Sequence, residues 1–257
     1  MEKITATIRK TVKSLSTAKG RREHSAFLTE RTKNVLELLG GRFQLRWLIG
    51  TYAWFESHPQ LNVPAEKLFQ ATSVDMERMT SLSTPSDVMA VFEMPDYEWF
   101  GELNIDELYL ALDNVQDPGN MGTIIRLADW FGVRTIFASL DCVDAFNPKT
   151  VISSMGSIAR VRVVSCHLDN VLKKAREFNV PVWGTFMQGE SIYNLKDNTR
   201  GIIVMGNEGK GISTEVEELV TRKITIPGYP EESASAESLN VAMATAITLA
   251  EFRRPKK

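Results

Sequence analysis

Five polar side chains lie near predicted strand-to-helix turns in the second half of the chain. Their amide, guanidinium, carboxylate and hydroxyl groups could bind a ligand or take part in a reaction. The five residues are Asn120, Arg126, Glu208, Ser238 and Asn240. Glu208 lies in a glycine-rich turn after an apolar strand, and glycine lets a ligand approach the backbone closely. Open α/β sheets bind ligands at such turns, outside the carboxyl ends of their strands. The segments that carry these residues are therefore predicted to meet at one site.

Each of these side chains also has a purely structural explanation. Asn120, Ser238 and Asn240 are of types that cap helix N-termini, and capping alone would account for them. Arg126 falls in a helix that is apolar nearly all round, so the sequence predicts that it is buried. A buried arginine needs a partner or a function. Asp129 could supply the partner, so the residue types alone leave both interpretations of Arg126 open.

The glycine-rich stretch Gly206–Gly211 does not match the common nucleotide-binding motifs. A phosphate-binding loop needs Ser or Thr after its Gly-Lys pair, whereas here Gly211 and Ile212 follow Lys210. The spacing of the glycines also fails the dinucleotide fingerprint G-x-G-x-x-G. No Gly-x-Ser-x-Gly elbow is present, and neither the histidines nor the carboxylates have metal-ligand spacing. A nucleotide-binding enzyme, a serine hydrolase and a metal site are therefore disfavoured.

From residue 107 to residue 257 the pattern alternates apolar strands with amphipathic helices. The predicted strands are 108–112, 133–138, 160–164, 181–186, 201–205 and 222–226, and the predicted helices are 121–131, 148–155, 168–178, 213–220 and 238–253. This alternation predicts an α/β domain with a parallel sheet covered on both faces.

Residues 1–95 predict a smaller α/β domain, and residues 96–106 a linker. Its first helix spans 3–18, with apolar residues at three- and four-residue spacing, and a basic turn follows at 19–22. Further strands are predicted at 26–28, 45–49 and 88–92, helices at 32–39 and 73–82, and a short helix or strand at 65–69. In the linker, Trp99 and Phe100 are predicted to pack between the domains.

Charge is distributed unevenly along the 257 residues, although the formal net charge is only −2. Residues 1–46 carry eleven Lys and Arg against four Asp and Glu, whereas residues 47–105 carry two against nine. A basic arm can neutralise phosphates, and each contact releases counterions. The alternative is a solvated helix face. The candidate phosphate-binding cations are Arg9, Lys10, Lys13, Lys19, Arg21 and Arg22.

The cysteines and the apolar runs indicate a reducing location away from membranes. Cys142 and Cys166 have neither CxxC spacing nor a ligand cluster around them, so neither a disulfide nor a zinc site is expected. No apolar run approaches the roughly 18 residues of a membrane span. The predicted location is the cytoplasm.

Taken together, three segments resemble the motifs of one enzyme family. They are LDNVQDPGNMGTIIRLADWFG, IVMGNEGKGIS and IPGYPEESASAESLNVAMATAITLAEF, which agree in order and spacing over residues 106–254. The chain resembles the SpoU/TrmH family of RNA ribose 2′-O-methyltransferases, within the knotted SPOUT class. The N-terminal stretch TVKSLSTAKGRREHSAFLTERTKNVLELL is similar to the ribosomal-protein-like RNA-binding domain that precedes many members.

The resemblance implies a trefoil knot from about residue 200 onward, S-adenosylmethionine bound in the knot, and a homodimer. By motif position, the functional residues would be Asn120, Arg126, Glu208, Ser238 and Asn240. The cofactor would be held by Met205, Gly206, Asn207, Ile226, Gly228 and Leu239. The two-domain layout favours ribosomal RNA as the substrate. The alternatives are tRNA methylation, or a non-catalytic RNA-binding protein that keeps the fold.

The sequence departs from the family pattern at two places. The loop between Pro227 and Ser238 is long and rich in Glu and Ser, so we expect it to reshape the cofactor pocket or to become ordered with the cofactor. In the first domain Glu30-Arg31 stands where a Glu-Gly pair is common, so the local backbone is expected to differ there.

Overall fold

The computed structural model describes residues 1–97, 99, 101–195, 200–229 and 238–255. The chain divides into two compact units. The first contains Met1–Asp96 and Asp144–Arg160, and the second contains Tyr97–Val143 and Val161–Lys257. The sequence had assigned residues 144–160 to the second domain, but they pack with the first unit.

The first unit is built on a mixed sheet. Its elements up to residue 93 are β1 (Glu2–Lys3), α1 (Ala6–Ser14), α2 (Ala18–His24), β2 (Ala26–Glu30), α3 (Thr32–Leu39), β3 (Leu45–Gly50), α4 (Tyr52–Glu56), β4 (Leu68–Gln70), α5 (Ser73–Met79) and β5 (Val88–Glu93), with a 3-10 turn at Ala65–Lys67. The strand order among the described residues is β1-β4-β3-β5-β2, and β5 runs antiparallel to both of its neighbours. The sequence did not predict α4, whose first turn is capped by the side chain of Thr51.

Two helices, α1 and α2, lie where the sequence predicted one helix at 3–18 followed by a basic turn. The apolar residues of the predicted helix are buried as expected, including Ile8 and Val12, but α1 ends at Ser14. The Thr17 side chain then accepts a hydrogen bond from the Gly20 N–H and starts α2, so the predicted basic turn at 19–22 is wrong. A Cβ at Gly20 would lie 2.1 Å from the Ser14 carbonyl oxygen. Glycine is therefore needed here for close packing of the two helices.

Arg21 is buried, which corrects its assignment to the RNA-binding set. Its side chain is only 2% exposed. The guanidinium binds the Asp144 carboxylate at 2.6 Å and donates to the Leu15 carbonyl at 2.9 Å. Both partners lie in the first unit, so this arginine holds the unit together and is not available to a phosphate.

We expect Arg21→Ala to lower the free energy of unfolding by about 3 kcal/mol, because it leaves a cavity and an unsatisfied carbonyl. Urea denaturation measures the change. Arg22→Ala is the matched control, because Arg22 is exposed and should change stability by less than about 0.5 kcal/mol. Equal losses in the two variants would contradict the structural role.

Arg31 has a backbone conformation that normally requires glycine. Its φ is +75° and its ψ is 133°, directly before α3, and its side chain makes no capping hydrogen bond. A residue with a Cβ is strained in this region of φ and ψ. The departure from the Glu-Gly pair is therefore confined to a side chain, and the chain keeps the backbone that glycine would adopt.

Arg31→Gly is expected to raise the free energy of unfolding by about 1 kcal/mol, because relief of strain exceeds the entropy that glycine loses on folding. Arg31→Ala keeps the Cβ and the strain, so it should give no such gain. Thermal denaturation of both variants tests this. A gain from alanine as large as that from glycine would show that removal of the charge, rather than strain, is responsible.

The second unit is built on a parallel sheet. Its elements are β6 (Leu108–Leu112), α6 (Pro118–Trp130) and β7 (Thr135–Ala138), and then, after α7 (Pro148–Ser153) of the first unit, β8 (Arg162–Ser165), α8 (Leu168–Glu177), β9 (Val182–Ser191), β10 (Gly201–Met205), α9 (Thr214–Glu217), β11 (Arg222–Thr225) and α10 (Val241–Phe252). Short 3-10 turns lie at Ser157–Ala159 and Ile192–Asn194. The predicted strands are confirmed to within a few residues, except that β9 extends to Ser191.

All neighbouring strands of this sheet run parallel, as predicted. The order among the described residues is β11-β9-β10-β6-β7-β8. The chain winds outward from β6 through β7 to β8 and then resumes on the other side of β6 with β9, β10 and β11. The carboxyl ends of β6 and β10 therefore lie side by side at a topological switch point, where such sheets bind ligands. Helix α10 packs against α6.

Much of the predicted linker is part of the second unit. Tyr97, Trp99 and Leu103 pack against its hydrophobic core. The Trp99 ring meets the Phe137 ring edge-on, with centroids 5.9 Å apart. Trp99 thus packs on the core of its own unit, and Phe100 lies outside the described residues. None of the helices in the described part of the chain is long and apolar enough to cross a membrane.

Candidate active site

Three loops meet at the carboxyl ends of β6 and β10 in the second unit. They are the turn between β6 and α6, the loop after β10, and the segment that enters α10. A backbone hydrogen bond joins the β6–α6 turn to the end of β10: the Asp113 N–H donates to the Met205 carbonyl at 2.9 Å. The buried Asp113 carboxylate accepts from the Ser213 N–H at 2.7 Å. Each end of the β10 loop is thus attached to the end of β6.

The loop after β10 closes on itself through Asn207 and Gly211. Their N–H and carbonyl groups exchange two hydrogen bonds of 2.9 Å each. The Asn207 side chain accepts from the Gly209 and Lys210 N–H groups and donates to the Asn114 carbonyl at 2.8 Å. A Cβ at Gly206 would lie 2.3–2.6 Å from the Gly211 backbone and the Ile212 nitrogen. The loop therefore holds Glu208 in a defined position.

One amide connects all three motifs. Asn120 Nδ2 donates to Glu208 Oε1 at 2.6 Å, and Asn120 Oδ1 accepts from Asn240 Nδ2 at 3.1 Å. Asn240 Oδ1 accepts from the Ala242 and Met243 N–H groups, so it caps α10. An ionised carboxylate only accepts and a backbone N–H only donates, so the donor and acceptor ends of both amides are determined. The three predicted residues form one directed chain of hydrogen bonds.

Two capping assignments from the sequence need correction. The N-cap of α6 is Asp117, whose side chain accepts from the Asn120 N–H at 2.8 Å, and Asn120 lies in the first turn of the helix. The last helix begins at Val241 with Asn240 as its cap, so Ser238 stands before it, exposed. Ser238 makes no hydrogen bond with the described residues.

Arg126 lies on the surface of the second unit, and the prediction that it is buried is wrong. The apolar residues of α6 do pack inward, among them Ile124, Ile125 and Ala128. Arg126 comes six residues after Asn120, which places it about 9 Å further along the helix and roughly 120° around it. With the described residues Arg126 makes neither a hydrogen bond nor an ion pair. The structure therefore does not bring it into the Asn120 chain, and its guanidinium is exposed to solvent.

The residues predicted to hold the cofactor lie at the ends of β10 and β11 and before α10. Met205 is buried, Gly206, Asn207 and Ile226 are half-buried, and Gly228 and Leu239 are exposed. This set offers backbone groups together with the apolar side chains of Ile226 and Leu239, and the absent Cβ of Gly206 lets the backbone of Gly211 and Ile212 approach closely. It therefore fits an apolar ligand with polar edges. The long loop that follows Tyr229 falls at 230–237, outside the described residues.

Sequence reasoning missed the residues that brace this site. Asp113 and Asn114 hold the β10 loop, and the Cys142 thiol accepts from the Val115 N–H at 3.2 Å. Asp113 and Asn114 follow directly after an apolar strand, which is the signal that could have identified them. Burial raises the pKa of Cys142, and burial likewise raises the pKa of Cys166 to about 11. Both thiols therefore stay protonated near neutral pH and are not nucleophiles.

The candidate RNA-binding cations in the first unit fall into three groups. Lys10, Lys13, Lys19 and Arg22 are exposed. Arg9 binds Asp75 at 2.9 Å, so a carboxylate partly offsets its charge. Arg21 is buried, as described above. The exposed basic residues of α1 and α2 thus remain as the candidate surface for phosphate contacts.

With this geometry in view, comparison with known proteins identifies the chain as a member of the SpoU rRNA methylase family, whose model matches residues 107–250. A Bacillus subtilis relative, the 23S rRNA (guanosine(2553)-2′-O)-methyltransferase RlmP, is 34% identical over 176 residues, 68% of each chain.

Two solved structures share the fold over nearly the whole chain. A Porphyromonas gingivalis protein assigned to the TrmH family of RNA methyltransferases has a TM-score of 0.87 and 38% identity, covering 98% of both chains. An rRNA methyltransferase from Sinorhizobium meliloti with bound AdoMet has a TM-score of 0.85 and 27% identity, covering 99% of this chain and 97% of its own. The α/β fold with a parallel-sheet methyltransferase unit is thereby confirmed.

Proposed function

We propose that the protein transfers a methyl group from S-adenosylmethionine to a ribose 2′-hydroxyl in structured RNA, with ribosomal RNA as the substrate. The observation that carries this proposal is the hydrogen-bond chain through Asn120. It joins residues of three separate motifs, Glu208, Asn120 and Asn240, at the switch point of a parallel sheet. A protein that kept the fold only as an RNA-binding scaffold would have no need for a hydrogen-bond chain that joins the three motifs.

S-adenosylmethionine supplies an electrophilic methyl group on a sulfonium. Met205, Gly206 and Asn207 would line one side of its pocket through their backbone, and Ile226, Gly228 and Leu239 would enclose its adenosine. The pair of 2.9 Å hydrogen bonds between Asn207 and Gly211 supports this role, because it gives the loop a fixed shape before ligand arrives. Asp113 and Asn114 act as positioning residues for the same loop.

Methyl transfer to a hydroxyl is an in-line displacement, and correct placement of the two reacting groups supplies much of the rate. Asn120 and Glu208 orient the site, and Ser238 and Asn240 position the ribose. The exposed Arg126 binds the substrate phosphate and stabilises the alkoxide that develops as the 2′-hydroxyl loses its proton. Arginine stays protonated at neutral pH, so we assign it charge stabilisation rather than proton abstraction.

The proposed assembly is a homodimer through the second unit. Helix α10 is apolar on nearly every face, a composition typical of a helix that is covered on all sides. Yet Met243 on this helix is 54% exposed, and Trp130 at the end of α6 is 83% exposed. A second copy packed on the α6–α10 pair would cover these side chains. The trefoil knot from about residue 200 is part of the same proposal. So is the division into an RNA-binding domain at 1–95 and a methyltransferase domain at 107–257, except that residues 144–160 pack with the first unit. The predicted cytoplasmic location stays a prediction.

The proposed reaction is tested with tritiated S-adenosylmethionine and unmodified ribosomal RNA or tRNA. After the reaction, the RNA is hydrolysed with alkali. A 2′-O-methyl group removes the hydroxyl that alkali needs, so the label should remain in a resistant dinucleotide from ribosomal RNA. Label in mononucleotides would mean base methylation and would contradict the proposal. Label in tRNA alone would support the proposed methyl transfer but contradict ribosomal RNA as the substrate.

The exposed cations of α1 are tested separately by the salt dependence of RNA binding. Lys10→Gln/Lys13→Gln should lower the slope of log affinity against log salt by about 1–2, because each lost phosphate contact contributes roughly 0.7–0.9. Lys33→Gln/Lys149→Gln removes the same charge from other exposed positions of the first unit. Equal slopes in the two double variants would rule out a specific role for α1.

A further inference from the structure

A cavity of about 570 Å³ lies at the amino ends of β9, β10 and β11, in the second unit. Three of its lining residues are arginines, which come from the end of α8 and from the starts of β10 and β11. The arginines are Arg176, Arg200 and Arg222, and Trp183 of β9 also lines the cavity. None of the roles proposed above uses this cavity, and its concentration of guanidinium groups needs an explanation.

A buried tryptophan contacts two of the three arginines of the cavity. The Trp183 side chain is 1% exposed, and its indole N–H donates to the Arg200 carbonyl at 3.1 Å. The Arg222 guanidinium lies over the same indole ring, 5.1 Å from its centroid. A guanidinium stacked on an aromatic face is held in place while its N–H groups stay available to a ligand. The sequence thus places one arginine over a rigid platform at the cavity wall.

Within the part of the chain that the structure describes, few hydrogen-bond donors of these arginines have a protein partner. Arg176 reaches the Glu218 carbonyl through a long hydrogen bond of 3.4 Å. Arg200 is 3.5 Å from the Asp106 carboxylate, and both side chains are more than half exposed. Among the described residues that line the cavity, none is acidic. Three like charges on one concave surface repel one another, so a bound anion would relieve a cost that the free protein carries.

The position of the cavity separates it from the candidate active site. The cavity is at the amino end of β10, whereas Met205 and the loop with Glu208 are at its carboxyl end. Five strand residues span about 17 Å. A small molecule in the active site could not reach the cavity, but an extended polyanion that passes over the unit could contact both.

We propose that the arginine cavity binds phosphodiester groups of the substrate RNA, away from the nucleotide that is modified. The inference rests on the proposed function, because it takes RNA as the ligand. Arginine's planar donor fork matches the oxygens of a phosphate and can bind two of them at once. Contacts to phosphate carry no sequence information, so this cavity fixes the position of the RNA on the methyltransferase unit and raises its affinity.

The test compares Arg176→Gln/Arg222→Gln with Lys173→Gln/Lys174→Gln, which removes the same charge from the outer face of α8. Binding of a fluorescent ribosomal RNA fragment is measured by anisotropy over a series of salt concentrations. We expect the arginine variant to bind the RNA about tenfold more weakly at physiological salt, with a slope of log affinity against log salt lower by roughly 1–2. The lysine variant should resemble the wild type. Equal affinities for the two variants would overturn the proposal.

Further variants and ligands test which anion the cavity binds and whether the variants keep the wild-type structure. Arg176→Lys/Arg222→Lys keeps both charges but not the planar donor forks, so it should recover part of the affinity that the glutamine variant loses. No recovery at all would show that damage to the Trp183 platform causes the loss, and would count against the proposal. Calorimetry with ATP and with inorganic phosphate tests a free phosphorylated ligand. If the arginine variant loses phosphate binding but keeps RNA affinity, the cavity serves a small anion and the proposal fails. Failure of methyl transfer in the wild type would instead count against the proposed function, since RNA affinity is measured independently of it.

Discussion

Arg126→Ala is expected to lower the rate of methyl transfer at saturating substrate by about 10²–10³-fold, the effect of removing one group that stabilises a developing oxyanion. Cofactor affinity should stay unchanged, because Arg126 lies outside the loops that would hold the cofactor. The thermal midpoint should also stay unchanged, because the side chain is exposed and makes no hydrogen bond with the described residues. A large loss of activity without loss of stability separates catalysis from structure.

Two further variants sharpen this prediction. Arg126→Lys keeps the positive charge but not the planar donor fork, so it should recover only part of the rate. Arg134→Ala removes another exposed arginine of the same unit and should leave the rate within twofold of the wild type. If Arg126→Ala transfers methyl groups as fast as Arg134→Ala does, Arg126 has no part in the reaction.

Gly206→Ala is expected to weaken S-adenosylmethionine binding by about 100-fold, which corresponds to a typical cost of overpacking. The added Cβ would lie 2.3–2.6 Å from backbone atoms of Gly211 and Ile212, and backbone cannot move aside as a flexible side chain can. The closed Asn207–Gly211 loop must therefore shift, and the predicted cofactor pocket shifts with it. Overpacking of this kind should also lower the free energy of unfolding by about 1–3 kcal/mol. Calorimetry and urea denaturation measure the two effects.

Gly209→Ala is the matched control, because it adds the same Cβ three residues later in the same loop. There the nearest atom would be Asn207 Oδ1 at 3.7 Å, an ordinary contact distance. Cofactor affinity should therefore stay within a few-fold of the wild type. A similar loss of affinity in both variants would show that the loop tolerates no added Cβ, and the specific clash at Gly206 would not be the cause.

Local patterns predicted most of the fold. The parallel sheet of the second unit follows from short apolar strands alternating with helices, and α3 begins and ends where its periodicity and its terminal glycines indicated. The break between α1 and α2 was missed because Gly20 resembles a turn residue. Its actual role is the close contact between Gly20 and Ser14, which is a property of packing and not of local sequence.

The burial and the partners of individual side chains were harder to predict than the helices and strands. Arg21 and Arg126 have the same residue type and each lies in a helix, yet the first is buried and the second exposed. The partner of Arg21 is Asp144, more than a hundred residues away in the chain, so no local pattern could have indicated it. The meeting of Asn120, Glu208 and Asn240 was predicted because all three lie near strand-to-helix turns, where open α/β sheets bind ligands, and because the three motifs together resemble one family. The sequence did not predict that Asp117 caps α6 or that Asp113 holds the β10 loop, because both roles depend on exact backbone geometry.

The hydrogen-bond chain through Asn120 also has a consequence for synthesis of the protein. Asn120 and Asn240 are separated by 120 positions in the chain, and Asn240 is the cap of α10. A ribosome must therefore translate beyond α10, and that helix must dock on α6, before the three residues can meet. Earlier nascent chains already contain the basic residues of α1 and α2, for which we propose RNA binding, but they have no assembled site with which to modify RNA. Translation thus delays catalysis until the end of the second unit has emerged.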